Sequence, residues 1–158
     1  MTELDGYRLI GDIETYLDDA AALHQAIFDR PWSQDALRDL LAMSGADGAV
    51  VLSGTRDPAF AGFVLFQCIG DSAEILTLAV APHHRGRGLA RSLVQQVFAR
   101  ARETGAEKVM LEVQDGNLAA IQLYESLGMT AFDRRRNYYK AADGSHADAI
   151  MMQLFFDN

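Results

Sequence analysis

Residues 78–91 constrain the fold of this chain more than any other segment. An apolar run ending at Ala81 leads into a turn rich in glycine and arginine, and an amphipathic helix begins near Gly88. The first amides of a helix have no partner within it, and the helix dipole is positive at that end. Glycine lets such a backbone approach an anion closely, and arginine adds charge. The segment therefore predicts a phosphate-binding turn; the alternative is an ordinary strand-to-helix connection with solvated arginines.

Length and composition favour one domain spanning residues 1–158. The chain has 158 residues, of which 49% are hydrophobic, so it can bury a core of useful size. No apolar run reaches the roughly 20 residues that are needed to cross a bilayer. The acidic residues 1–5 lack the pattern of a secretion signal, and the one cysteine, Cys68, excludes an internal disulfide. These features are consistent with a cytoplasmic protein.

The net charge of −8 is unevenly distributed along the sequence. Residues 1–84 hold 4 basic and 13 acidic side chains, a net −9, whereas residues 85–158 hold 10 and 9, a net +1. An acidic first half disfavours nucleic acid and anionic membranes as partners. It would attract a cationic acceptor such as a protonated amine or a basic peptide. An acidic surface that only keeps the protein soluble explains the same charge.

Hydrophobic periodicity and turn residues predict a mixed α/β chain. The predicted strands are 6–10, 49–53, 59–69, 72–81, 108–113, 130–140 and 147–156. Two helices capped by Asp12 and Ser33 lie between the first two strands, and later helices end at Gly105 and Gly128. Short turns predict that the strands from 49 to 81 are antiparallel. The strand after helix 88–104 is expected to be parallel to the strand before it.

Glu112 is a charged residue inside the otherwise apolar strand 108–113. Strand alternation places it on the face opposite Val109, Leu111 and Val113. A carboxylate in a central strand is costly unless it is paired or solvated, so Glu112 should look into a cleft or meet an arginine. Ligands bind naturally near the carboxyl end of a parallel strand, which favours the cleft, and a structural ion pair is the alternative.

Other candidate residues each have a structural and a functional interpretation. Asn117 precedes a helix and predicts an N-cap. Tyr124 lies on a helix face that points toward the sheet, where a buried core tyrosine is the structural interpretation. Trp32 could anchor a surface loop, and Tyr138 could simply pack against strand neighbours. The arginine run 134–136 is interpreted as a solvated face, and a role in holding phosphates is the alternative.

The residues around the glycine-rich turn resemble a known family. Arg85-x-x-Gly88-x-Ala90 fits the Arg/Gln-x-x-Gly-x-Gly/Ala signature of the GNAT acyl-CoA N-acyltransferases, and the resemblance covers residues 31–152. It is also carried by Pro31-Trp32-Ser33, Leu111-Glu112-Val113, Asn117, Leu123-Tyr124, Gly128, Arg135-Arg136-Asn137-Tyr138-Tyr139 and Asp148-Ala149-Ile150-Met151. The combination is similar to a branch of the family whose members acetylate the N-terminal amine of a small-subunit ribosomal protein.

The resemblance implies a GNAT fold, with a mixed central sheet flanked by helices in one domain, and acetyl-CoA as co-substrate. The implied acceptor is a protein N-terminus, above all the N-terminal alanine of a small-subunit ribosomal protein. The resemblance makes Glu112 the general base and Tyr124 the acid that protonates the coenzyme A thiolate, and it places Trp32 and Tyr138 near the acceptor groove. The residues it assigns to coenzyme A are Leu78, Ala79, Val80, Arg85, Gly86, Arg87, Gly88, Leu89, Ala90, Arg91 and Asn117.

Other functions remain open at this stage. The segment Gln114-Asp115-Gly116-Asn117 stands where the branch more commonly has Arg-x-Ser-Asn, which bears on the choice of acceptor. One alternative is acetylation of a small amine, such as a polyamine or an antibiotic. Another is a coenzyme A sensor without turnover, against which Glu112 and Tyr124 argue. The histidines show no metal-ligand spacing, so no metal is expected, and direct transfer in a ternary complex is favoured over a covalent intermediate.

Overall fold

A computed structural model of the chain describes residues 2–157, which form a mixture of strands and helices. The strands are β1 (Thr2–Leu4), β2 (Tyr7–Ile10), β3 (Ala46–Ser53), β4 (Ala59–Ile69), β5 (Ser72–Val80), β6 (Lys108–Gln114), β7 (Thr130–Lys140) and β8 (His146–Phe155). The helices are α1 (Leu17–Ile27), α2 (Gln34–Leu41), α3 (Leu89–Glu103) and α4 (Leu118–Ser126), with short 3₁₀ turns at Glu14–Tyr16 and Pro82–His84.

The strands form one mixed sheet in the order β1-β2-β3-β4-β5-β6-β8-β7. Neighbours from β1 to β5 are antiparallel, as the short turns of the sequence predict for β3 to β5. The pair β5 and β6, joined through α3, is parallel, and this confirms the crossover expectation. Strands β6, β8 and β7 then continue antiparallel. The predicted mixed sheet flanked by helices is confirmed.

The first part of the chain differs most from the sequence prediction. Strand β1 was not predicted; it forms a hairpin with β2 through a turn in which Asp5 and Gly6 have φ angles of 40° and 90°. Asp12 does not cap α1, because its carboxylate instead accepts bonds from Thr15 N at 3.3 Å and Thr15 Oγ1 at 2.7 Å. These bonds hold the 3₁₀ turn Glu14–Tyr16, and α1 begins only after it, at Leu17. Strand β3 begins three residues earlier than predicted, at Ala46.

The other helix ends follow the residues that predicted them. Ser33 Oγ accepts a hydrogen bond from Ala36 N at 3.1 Å at the start of α2. Asn117 Oδ1 accepts one from Ala120 N at 3.3 Å at the start of α4, so the N-cap interpretation of Asn117 is confirmed. Gly105 and Gly128 follow α3 and α4 with φ angles of 84° and 97°, which glycine adopts without strain.

An apolar core lies on each face of the sheet, between the sheet and two helices. The α3–α4 core lies beneath those two helices, and its buried members include Ile75, Leu93, Val97, Ala101, Val109, Leu111 and Tyr124. The α1–α2 core on the opposite face includes Leu17, Ala20, Leu37, Val50, Phe63, Leu65 and Ala79. Burial of these side chains on both faces explains why the central strands are almost wholly apolar.

A β-bulge in β5 shapes the region that the sequence assigns to function. Leu65 pairs with Thr77 and Phe66 with Ile75, so Leu76 is an extra residue on β5. The bulge reverses the alternation: Ile75 points into the α3–α4 core before it, and Val80 does so after it. Beyond Ile75, β5 no longer pairs with β6, because the parallel ladder runs only from Ser72–Lys108 to Ile75–Leu111. The two strands therefore separate toward their carboxyl ends.

Candidate active site

The glycine-rich turn lies at the carboxyl end of β5 and opens α3. Gly86 and Gly88 have φ angles of 76° and 79°, a conformation that favours glycine. A Cβ built on either residue would meet no atom within 4 Å, so the turn presents open backbone. The first helical hydrogen bond at this end runs from Ser92 N to Gly88 O. Within residues 2–157, no acceptor is found for the amides of residues 86–91, which are the donors that an anion needs.

A cavity of about 320 Å³ lies against these amides. Its walls come from the turn, the start of α3 and the first half of α4, and its lining residues are Val80, His84, Arg85, Gly86, Gly88, Leu89, Ala90, Arg91, Ala119 and Leu123. Most of the residues predicted to bind coenzyme A thus share one cavity. Leu78, Ala79, Arg87 and Asn117 are not among its lining residues, although each lies close to it in sequence.

The arginines of the turn are partly engaged by the protein itself. Arg85 Nε donates to Val80 O at 3.1 Å, and Arg91 Nη2 donates to Ser126 Oγ at 2.6 Å. Arg87 places its guanidinium carbon 6.0 Å from the centre of the Tyr7 ring. These contacts orient the side chains around the cavity, while each guanidinium keeps further N–H donors.

His84 is a cavity residue that the sequence analysis did not single out. Its Nδ1 lies 2.8 Å from the hydroxyl of Tyr7, and the two rings meet edge to face with centres 5.5 Å apart. Tyr7 lies on β2, far from His84 in sequence, so no local pattern could have revealed the pair. The contact ties the turn to the N-terminal part of the sheet.

Glu112 lies on β6 just beyond the last residue that pairs with β5. Its neighbours Leu111 and Val113 are buried in the α3–α4 core, so the Glu112 side chain emerges on the opposite face, as predicted. Its side chain is 18% exposed, and its carboxylate lies 3.3 Å from Arg135 Nη1. The expectation that Glu112 meets an arginine is therefore confirmed. Its position in a cleft stays a prediction, because Glu112 is not among the residues that line the cavity beside the turn.

Aromatic residues of β7 gather around this ion pair. The Arg135 guanidinium lies 5.4 Å from the centre of the Tyr138 ring, and Tyr138 packs edge to face on Tyr139 at 5.2 Å. The charge of Glu112 raises the pKa of Tyr138, which is 49% exposed. Burial, followed by the charge of Glu112, raises the pKa of Tyr139 to about 12. Both phenols are thus neutral at pH 7 and lie within the field of Glu112.

An irregularity in β7 brings these groups over Glu112. Arg135 pairs with Ala149 and Tyr139 with Ala147, so β7 has two residues more than β8 between these pairs. The excess is accommodated at Asn137, whose φ of 53° is uncommon outside glycine. The carboxylate of Asp148 accepts a bond from Asn137 N at 2.9 Å and so holds the distorted backbone.

Arg134 completes this support. It bridges Asp115 at 2.7 Å and Asp148 at 2.8 Å, and so joins the β6–α4 connection to β7 and β8. Arg134, Arg135 and Arg136 are all exposed, which confirms the interpretation of this run as a solvated face. The ion pairs of Arg134 and Arg135 were not predicted, because their partners lie in distant segments of the chain.

Tyr124 projects from α4 into the α3–α4 core and is 8% exposed. Burial raises its pKa, so the hydroxyl keeps its proton at neutral pH. Tyr139 lies near enough to Tyr124 that an ionised Tyr124 raises the pKa of Tyr139. Tyr139 thus lies within the field of both Glu112 and Tyr124, although all three residues are far apart in sequence.

Trp32 packs where the α1–α2 connection meets the sheet. Its ring stacks on His24 with centres 5.1 Å apart, and its backbone N donates to His24 Nδ1 at 3.0 Å. His24 also stacks on Phe28 at 4.0 Å. Burial lowers the pKa of His24 to about 4, which keeps the ring neutral and its Nδ1 free to accept. Trp32 therefore anchors this connection, and its role at an acceptor groove stays a prediction.

Among residues 2–157, no group of three or more His, Cys, Asp or Glu side chains is arranged to hold a metal ion. In the same part of the chain, no helix is both long and apolar enough to span a membrane.

Comparison with known proteins now assigns the family. A family model described as the acetyltransferase (GNAT) family matches residues 17–129. The chain belongs to this family. As a GNAT acetyltransferase it is an N-acetyltransferase, and the match extends from the start of α1 to the residue before β7, which includes the glycine-rich turn, Glu112 and Tyr124.

Relatives over most of the chain are acetyltransferases of the same kind. This GNAT protein is 35% identical over 147 residues to the ribosomal protein bS18-alanine N-acetyltransferase of Escherichia coli (strain K12), which covers 92% of this chain and 95% of the relative. The enzyme of that name from Salmonella typhimurium is 42% identical over 100 residues, or 63% and 67% of the two chains. The crystal structure of the ribosomal-protein-S18-alanine N-acetyltransferase from Escherichia coli superposes with a TM-score of 0.85 at 30% identity, covering 96% and 95%.

Proposed function

We propose that this acetyltransferase transfers the acetyl group of acetyl-CoA to the N-terminal α-amine of a protein, the N-terminal alanine of ribosomal protein bS18. Residues 1–158 act as one domain in this reaction, which takes place in the cytoplasm, where ribosomes are assembled. The observation that carries the proposal is the separation of β5 from β6. It opens the sheet between these strands, with Glu112 just beyond the last residue of β6 that pairs with β5. The turn that follows β5 holds the amides of residues 86–91, for which no acceptor is found within residues 2–157. The acceptor is inferred from the relatives in Escherichia coli and Salmonella typhimurium.

The turn and the cavity fit the diphosphate of coenzyme A. The amides of residues 86–91 face open space, Gly86 and Gly88 let an anion approach, and Arg85 and Arg91 line the cavity. A helix N-terminus with free amides is a recurrent diphosphate site. In this proposal Leu89 and Ala90 line the cavity beside the anion, while Arg87 adds charge from the Tyr7 side.

The part of β5 beyond the bulge suits the pantetheine arm. Past Ile75, the edge of β5 that faces β6 has no strand partner. Apart from Val80 O, which accepts from Arg85 Nε, backbone groups on this edge can bind an extended amide ligand. Leu78, Ala79 and Val80 form this edge, and Val80 also lines the cavity. In this proposal Asn117 also lies near the pantetheine arm, in addition to capping α4.

Glu112 is the base that accepts the proton of the incoming amine. An α-amino group has a pKa near 8, so only about one-tenth of it is neutral at pH 7, a cost of about 1.4 kcal/mol before reaction. A carboxylate beside the acceptor removes this proton directly or through one water as the nitrogen attacks the thioester carbonyl. The exposed edge of Glu112 supports this role, since a wholly buried carboxylate could not meet the amine.

Tyr124 is the acid that supplies a proton to the departing thiolate. Its buried hydroxyl is protonated at neutral pH and therefore has a proton to give. Trp32 and Tyr138 line the two sides of the acceptor groove in this proposal. The net −9 of residues 1–84 also favours a basic acceptor chain.

A panel of acceptors tests the function. Purified protein and acetyl-CoA are offered peptides that begin with Ala, Ser or Met, the same peptides blocked at the α-amine but containing lysine, and spermidine. Release of free coenzyme A gives the rate, and mass spectrometry maps the acetyl group. The proposal predicts transfer only to free α-amines, fastest for the peptide that begins with alanine.

Each other outcome of the panel contradicts the proposal in a defined way. Faster transfer to spermidine would make the protein a small-amine acetyltransferase. Acetylation of the blocked peptides would move the acceptor to lysine. Tight binding of acetyl-CoA without turnover on any acceptor would leave a coenzyme A sensor.

A further inference from the structure

A second carboxylate, Glu74, lies on the same face of the sheet as Glu112. On β5 its neighbours Ala73 and Ile75 point into the α3–α4 core, so the Glu74 side chain points to the opposite face. The register pairs Glu74 with Met110, two residues before Glu112 on β6 and on the same face as Glu112. Neighbouring strands lie about 4.8 Å apart and two residues span about 6.6 Å along a strand, so the Cα atoms of Glu74 and Glu112 are about 8 Å apart and their long side chains can reach each other. Glu74 therefore lies in the paired part of the two strands, and Glu112 lies just beyond the point where β5 and β6 separate.

Arg135 supplies the positive charge beside this pair. Its guanidinium contacts Glu112 at 3.3 Å, and its positive charge also influences the pKa of Glu74. Burial raises the pKa of Glu74, the charge of Glu112 raises it further, and the charge of Arg135 lowers it. Two tyrosines of β7 that feel the charge of Glu112, Tyr138 and Tyr139, are neutral at pH 7.

When both carboxylates are ionised, Glu74, Glu112 and Arg135 together carry one net negative charge. Each carboxylate contributes one negative charge when ionised, and the guanidinium, which does not lose its proton in proteins, cancels one of them. Arg135 is held over the carboxylates by the backbone of β7, which Asp148 fixes at Asn137. Arg135 is 51% exposed and its contact with Glu112 is through one nitrogen, Nη1, which leaves room for another cation to approach Glu112.

We propose that Arg135 determines the charge of the acceptor by lowering the negative charge of the Glu74–Glu112 pair to one unit, which a single ammonium group neutralises. The inference rests on the proposed function, because it concerns the acceptor side of that same site. An α-amine brings one positive charge and balances the site. A diamine brings a second charge that finds no counter-charge while Arg135 is present. Arg135 is thus a specificity-determining residue, with Glu74 as the carboxylate it offsets.

Binding of two small amines measures this effect without turnover. Dissociation constants are determined by calorimetry at pH 7 for alaninamide, which has one charge, and 1,4-diaminobutane, which has two, on protein saturated with coenzyme A. Arg135→Gln should strengthen binding of the diamine relative to alaninamide by about tenfold, since an added charge interacts at short range across partly desolvated space. The same shift is expected in the ratio of kcat/KM values for spermidine and an alanine peptide.

The double variant Glu74→Gln/Arg135→Gln separates charge from shape. It again has one net negative charge, so the ratio should return to within about threefold of wild type, although two side chains differ. Arg136→Gln is the matched control, because it removes an exposed arginine from the next position of β7. It should leave the ratio of the two dissociation constants unchanged.

These outcomes separate the inference from the proposed function. An unchanged ratio in Arg135→Gln, or an equally shifted ratio in the double variant and in Arg135→Gln, would overturn the inference while the acceptor panel still stands. Failure of wild-type protein to acetylate any α-amine would overturn the proposed function instead, whereas the two amine affinities would still report on Arg135. Retained affinity for acetyl-CoA shows that each variant is folded.

Discussion

Glu112 lies at the carboxyl-terminal end of the parallel β5–β6 ladder, next to an arginine and two tyrosines. Replacing it with glutamine keeps the shape and removes the base. We expect Glu112→Gln to lower kcat/KM about a hundredfold at pH 7, because a positioned base is worth that much in proton transfer. The rate should then follow the fraction of amine that is already neutral, so its pH optimum moves upward. A pH–rate profile with the shape of wild type would remove Glu112 from the base role.

Tyr124 is tested by removal of one oxygen atom. Tyr124→Phe should lower kcat at least tenfold, because the departing thiolate loses its proton donor. Affinity for acetyl-CoA should stay near wild type, since the ring still fills the α3–α4 core. Equilibrium binding and steady-state kinetics together make the measurement. Wild-type turnover in this variant would rule out the acid role and leave Tyr124 as a core residue.

At the scale of elements, the glycine-rich turn should bind its anion through backbone that only glycine permits. Gly88→Ala places a Cβ at a φ of 79°, and we expect it to lower the free energy of unfolding by about 1 kcal/mol. It should also weaken acetyl-CoA about tenfold, because charge-assisted bonds to these amides are disturbed.

Gly70→Ala is the matched control for the turn. Gly70 also has a positive φ, 59°, and open space around it, but it lies in the β4–β5 turn. Its replacement should lower stability by a similar amount and leave acetyl-CoA binding intact. Equal loss of acetyl-CoA affinity in both variants would contradict a specific role for the amides near Gly88.

The α1–α2 connection should make stability depend on pH through His24. The pKa of this ring is about 4 in the folded protein and near 6.5 when exposed, so the unfolded chain binds more protons between these values. The free energy of unfolding should therefore fall as the pH falls from about 6.5 to 4. Protonation would also abolish the bond that His24 Nδ1 accepts from Trp32 N.

Urea unfolding at pH 7 and pH 4.5 measures this contribution. His24→Asn keeps an acceptor without a titrating ring, so the stability gap between wild type and this variant should narrow at the lower pH. His146→Asn, at an exposed position on β8, should follow the pH dependence of wild type. A gap of constant size in His24→Asn would show that His24 does not titrate in the folded protein as described.

On the scale of the whole molecule, local chemistry explains which parts of the fold could be predicted. Alternation and turn residues reveal β4, β5 and β6, and capping residues such as Asn117 reveal where helices begin. The three-residue β1 is too short to show a period. Asp12 misleads because its side chain can close a 3₁₀ turn as readily as cap a helix.

Parts of the candidate site could likewise be predicted from local sequence, and other parts could not. Local sequence reveals the turn at residues 86–91, since its glycines and arginines are contiguous, and reveals Glu112 as a charge in an apolar strand. Glu74 breaks an apolar strand just as Glu112 does, so the same argument could have found it. The Arg135–Glu112 pair and the Tyr7–His84 contact join distant segments, and the bulge at Leu76 exists only through pairing with β4.

The most direct test of the account is a crystal structure of this protein with acetyl-CoA bound. The account predicts that the diphosphate accepts hydrogen bonds from the amides of residues 86–91, and that the thioester lies between β5 and β6 on the side of Glu112. A cofactor bound elsewhere, with those amides left to solvent at saturating acetyl-CoA, would contradict it.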